Sequence, residues 1–128
     1  MKLFWLSLIT LGAGLAQSPA YLPKLEDARL TRGAAFVDQA SIAPGALNAP
    51  GSLNIAGNVP TPCHELRVNI PSALDGAGVL AIQVYSVTDP HQICAQILKP
   101  FTASVTLSPT QLRASITVNG KSVSAPSK

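Results

Sequence analysis

Charge is scarce in this sequence. Nine Lys plus Arg and six Asp plus Glu make up 12% of 128 residues and leave a formal charge of +3. Disordered acidic or basic tails and coiled coils need far more charge than this, which excludes both. So small a positive balance, spread along the chain, is also too weak for a phosphate-tracking surface, and nucleic acid is excluded as a partner. Stretches of helical period longer than about two turns are missing, which argues against a helical bundle. There is no G-x-S-x-G elbow, no H-E-x-x-H pair and no glycine-rich phosphate loop, so the usual catalytic signatures are absent. The expectation is a non-enzyme with no cofactor. Cysteine is limited to two residues, Cys63 and Cys94, which allow a single intramolecular bridge.

What is present is apolar and rich in turn residues: 47% hydrophobic, with 11 prolines and nine glycines. A chain of this length holds one small domain. Its start is not part of that domain. Lys2 precedes an apolar run, Leu3 to Leu15, interrupted only by Ser7 and Thr10, which is the pattern of a secretory signal peptide. The run of about 13 residues falls short of the roughly 20 needed to cross a bilayer as a helix. Gly14-Leu15-Ala16 is the best cleavage site, because cutting after Ser18 would place Pro19 beyond the scissile bond. The expected organisation is a signal peptide over 1–16, a lead-in over 17–35, a β-sandwich domain over 36–124 and a tail over 125–128. A secreted or periplasmic chain with no membrane span after cleavage follows, and an oxidising compartment favours pairing of Cys63 with Cys94. By the chain-entropy estimate such a loop is worth about 3.5 kcal/mol.

From Phe36 onward, short runs of alternating apolar residues are cut by Gly, Pro and Asn every eight to twelve residues, as in sandwiches and barrels. Strands are expected at 36–42, 52–57, 63–70, 79–88, 92–98, 102–107 and 112–119, which makes an all-β, immunoglobulin-like antiparallel sandwich of about seven strands. Leu66, Val68 and Ile70 alternate with Glu65, Arg67 and Asn69, so Arg67 is placed on the solvent face. Val79 to Val87 is apolar on both parities, which predicts a central strand covered on both faces. Asn119-Gly120 is the strongest hairpin signal, because both central positions of a type I′ turn need a positive φ. Lys121 to Ser124 then pair back. Asp75 to Gly78 and Asp89-Pro90-His91 read as turns, and Phe101 as a core aromatic.

Three ordered segments carry a resemblance. They are Gly57-Asn58-Val59-Pro60-Thr61-Pro62-Cys63, then Cys94-Ala95-Gln96-Ile97-Leu98-Lys99-Pro100-Phe101, then Val118-Asn119-Gly120. They resemble a recurrent bacterial extracytoplasmic β domain with the pattern G-x-L-P-x-x-C, C-x-Q-x-x-x-P-F and V-N-G. The resemblance covers about 53–123 and implies a secreted sandwich with Cys63 paired to Cys94, and no established activity.

Candidate chemistry centres on the cysteines. Cys63-His64 and His91-x-x-Cys94 offer the ligand inventory of a tetrahedral zinc site, but strand neighbours point to opposite faces, and exported thiols usually pair. His64, His91 and Asp89 could together hold a surface copper or zinc ion only if they converge. A binding rim is the stronger expectation. Asn58, Pro60, Thr61 and Pro62 form a proline-stiffened loop at one cysteine, and Asp89, His91 and Gln92 lie beside the other, so a bridge brings both together. The histidines would lend such a rim pH sensitivity. The expected function is a secreted, non-catalytic binding or cell-envelope accessory module, its partner an unidentified protein or envelope component. The alternative is a protease inhibitor: Val59-Pro60-Thr61-Pro62, Asp75 to Gly78 and Lys99-Pro100-Phe101 resemble, with different spacing, the three loops of chagasin-like cysteine-protease inhibitors. A metal-binding protein comes third.

Overall fold

A computed structural model describes residues 21–123; the expected signal peptide, its expected cleavage site and the expected tail lie outside that range. Eight strands are described: β1 Thr31–Gly33, β2 Phe36–Ala43, β3 Gly51–Val59, β4 Glu65–Asn69, β5 Val79–Thr88, β6 Lys99–Leu107, β7 Ser115–Val118 and β8 Lys121–Val123. They form a five-stranded sheet, β1-β5-β7-β8 with β4 also on β5, and a three-stranded sheet, β2-β3-β6. All ladders are antiparallel except β5 with β7. The expected all-β sandwich with one disulfide is the fold observed.

Period-two patterning builds the core. Leu53, Ile55 and Val59 of β3 alternate with half-buried neighbours, and Ala103, Val105 and Leu107 of β6 alternate with exposed Thr102, Ser104 and Thr106. Across from them lie Leu66 and Val68 of β4, Leu80, Ile82 and Val84 of β5, and Ile116 and Val118 of β7. Each sheet turns one apolar face inward, which is what holds a sandwich together.

Strand β5 is the hub. β4 takes one edge over Glu65–Asn69, so β1, which pairs with Ser86 to Thr88, occupies the other. β7 runs parallel to Val79–Ile82, and Asn119 continues its ladder: its side-chain amide accepts the Val84 N–H at 2.8 Å and donates to the Val84 carbonyl at 3.0 Å. Asn119 and Gly120 have φ of 51° and 87°, the turn that their dipeptide predicts, and β8 pairs back on β7. Asp75 Oδ1 accepts the N–H groups of Ala77 and Val79, closing the expected turn before β5.

Several expectations need correction. Segment 92–98 is not a strand: it crosses from the five-stranded sheet to the three-stranded one, where no neighbouring backbone offers a ladder, and β6 begins only at Lys99. The expected strand 112–119 is shorter, because Ser108-Pro109-Thr110-Gln111 is a capping box that opens a helical turn, α1, Pro109–Leu112. Ser108 Oγ accepts the Gln111 N–H at 3.1 Å, and Gln111 Oε1 accepts the Ser108 N–H at 2.8 Å. β5 is covered on both faces only near its end: Ala81 and Gln83 are exposed, Val87 is buried, and the Arg32 guanidinium lies 3.8 Å from the centre of the Tyr85 ring. Phe101 is half-buried and packs against the core. Arg67 is not on the solvent face: it is 2% exposed.

Candidate functional site

The turn between β3 and β4 carries the first half of the expected rim. Asn58 belongs to the β3 ladder opposite Pro100, and its amide donates to Asp38 Oδ2 at 3.4 Å. Thr61, a rim residue in the sequence reading, is not available to a partner: it is 5% exposed. Its hydroxyl accepts the Cys63 N–H at 3.2 Å and lies 2.8 Å from His64 Nδ1, while the His64 N–H donates to the Thr61 carbonyl at 3.1 Å. A threonine bonded this way closes a local turn, so its polar atoms are used by the fold. Pro60 is half-buried, and Pro62 is exposed.

The second half lies on the turn after β5. Asp89 Oδ1 accepts the His91 N–H at 2.9 Å, and the Asp89 carbonyl accepts the Gln92 N–H at 3.0 Å, with all three side chains exposed. Cys63 and Cys94 are bonded to each other with their Cα atoms 6.1 Å apart. The two turns are therefore tied at one end of the sandwich, as the pairing of cysteines requires. With both sulfurs in the bridge, the tetrahedral site of two thiols and two imidazoles has lost half its ligands. Among the described residues, no group of three or more His, Cys, Asp or Glu side chains is placed to hold a metal ion.

Two features of this end escaped the sequence. One is the crossover itself: Ile93 is 97% exposed, Ile97 62% and Leu98 58%. Their spacing suggested a half-buried strand, and nothing local distinguishes a strand from a crossover with the same alternation. The other is an ion-pair cluster beneath the rim. Arg67 Nε and Nη2 donate to the two carboxylate oxygens of Asp27 at 3.0 and 3.1 Å, Nη2 also to Glu65 Oε1 at 3.1 Å, and Nη1 to the Leu66 carbonyl at 3.0 Å. Asp27 sits on a 3₁₀ turn, Leu25–Arg29, where it also accepts the Lys24 N–H at 3.0 Å. The Arg67 hydrogen bond, then that of Lys24, hold the Asp27 carboxyl below its ordinary pKa, and Asp27 in turn raises that of Arg67. A depression of about 510 Å³ beside this cluster is lined by Glu26, Arg29, Glu65, Asp89 and His91 among others.

Of the three inhibitor-like segments, Asp75 to Gly78 is an exposed turn, whereas Val59 ends β3 and Lys99 to Phe101 open β6. No described helix is long and apolar enough to cross a membrane.

Two packed sheets, one bridge joining two turns at an end of the sandwich, and an apolar crossover pinned there define a disulfide-stapled β-sandwich domain. Residues 53–126 match the ORF11 beta-sandwich domain, more than half of the chain, and the protein belongs to that family. Neither the curated proteins nor the solved structures contain a match to the chain.

Proposed function

We propose that this protein is an exported, non-catalytic binding module of the cell envelope or its surroundings, whose partner, a protein or envelope component, seats on the crossover from Asp89 to Leu98. The observation that carries this reading is the exposure of Ile93, Ile97 and Leu98 on a segment held at Cys94. Clustered apolar side chains left in water at the surface of a small domain mark an interaction surface. The bridge and Pro90 reduce the backbone freedom that a partner would otherwise have to order. The exposed His91 and Gln92 supply a polar border to the same surface.

Crosslinking of the intact cell envelope and secreted fraction, followed by capture of this chain, should recover a partner. Ile93→Asp together with Ile97→Asp should abolish that capture with little change in the unfolding midpoint, because neither side chain is buried. Undiminished capture by the double variant would overturn the assignment of the surface. Inhibition of a papain-type protease by the purified chain would favour the inhibitor reading instead.

A further inference from the structure

The sandwich is open along one side. β2 and β8 lie together on the other side, whereas β4 and β6 each pair on one edge only among the described residues. Between those two strands is a cavity of about 290 Å³, lined in part by Tyr21, Val59, Leu66, Lys99 and Phe101. Its apolar walls are core residues: Val59 is 3% exposed and Leu66 8%, and the half-buried Tyr21 and Phe101 pack against the same core.

Lys99 is the unusual member. Phe101, Ala103, Val105 and Leu107 occupy the inward parity of β6, and Lys99 stands on that parity two residues before Phe101. The other strong cation at the cavity, Arg67, has its donors committed to Asp27, Glu65 and the Leu66 carbonyl. Glu65, the acid lining the cavity, is bonded to Arg67. Among the described residues Lys99 makes no ion pair.

We propose that this opening binds a small organic carboxylate, its ring or short chain between Phe101 and Leu66 and its anionic group on the Lys99 ammonium. The charge complement follows from the uncommitted lysine, and the size from the cavity, which lies just below the usual range of small-molecule pockets. The opening adjoins the partner surface, since Lys99 follows Leu98, but binding of a small anion there does not depend on that partner, and the test below is made on the isolated chain.

The test is a titration of the full isotope-labelled chain with phenylacetate, followed through the methyl signals of Val59 and Leu66. Saturable shifts are expected with half-saturation at roughly millimolar probe, as ligand efficiency allows for about ten heavy atoms. The neutral phenylacetamide and the cationic phenethylamine should bind about tenfold more weakly or not at all. Lys99→Gln, at an exposed position, should weaken phenylacetate about tenfold with an unchanged melting curve, and Lys99→Arg should restore it. Absence of saturable shifts, equal binding of the amine, or full binding by Lys99→Gln would each overturn the proposal.

Discussion

Arg67 holds its charge at 2% exposure because four hydrogen bonds surround its guanidinium. Removing one partner of a buried pair leaves a charge without compensation, whereas an apolar replacement of the charge itself does not. Asp27→Asn should therefore cost about 3 kcal/mol, and Arg67→Met distinctly less, as read from urea unfolding. The same pair sets an acid limit. Because the folded-state pKa of Asp27 is depressed, its stabilisation is complete above the ordinary aspartate value of about 3.9 and is lost as pH falls through the folded value. Urea midpoints measured from about pH 6 downward should fall more steeply for the native chain than for Asp27→Asn in that acid range. Asn119 is the second decisive residue. Asn119→Gly keeps the positive φ but removes both bonds to Val84, and should cost about 2 kcal/mol, while Gly120→Ala, at φ 87°, tests the turn alone.

The crossover between β5 and β6 is where element patterning and element formation part. Residues 92–98 alternate like a strand, but a strand exists only where a partner backbone supplies a ladder, and the passage between sheets supplies none. The bridge takes over the role of the missing ladder there. Replacing both Cys63 and Cys94 by Ala opens a loop of 31 residues and should lower stability by about 3.5 kcal/mol in the chain-entropy estimate, measured by chemical unfolding. Thermolysin cleavage within 92–98 should accelerate in that variant, whereas β3 and β6 stay resistant because their ladders retain their hydrogen bonds. The same reasoning explains β1. Thr31-Arg32-Gly33 has no apolar alternation, yet it fills the vacant edge of β5 beside Ser86 to Thr88.

At the scale of the molecule, the segment before Phe36 is fastened to the sandwich by three devices: Tyr21 against the core, Asp27 on Arg67, and β1 on β5. Its composition is that of a lead-in, and only the distant partners on β4 and β5 make it part of the structure. The export proposed above carries its own measurement. Mass spectrometry of the protein recovered from its natural compartment should find an N-terminus at Gln17 or within a few residues of it, and Cys63 and Cys94 should resist alkylation until reductant is added. An intact Met1 in the membrane fraction would oppose the export reading.

The sequence by itself determined whatever depends on neighbours along the chain. Alternating runs marked β3, β4 and β6 as strands, the Leu66 and Val68 parity marked the apolar face of β4, Asp75 and Asn119-Gly120 marked turns, and two cysteines allowed one bridge. Tertiary structure decided whatever depends on residues far apart. It placed Asp27 on Arg67 across 40 positions, buried Thr61 in the turn expected to be a rim, left Ile93, Ile97 and Leu98 in water, and set Lys99 at the mouth of the core. The physical reason is the same in each case: alternation says which side of a strand is apolar, but burial and free charge depend on what lies opposite. That is settled only when the two sheets have packed.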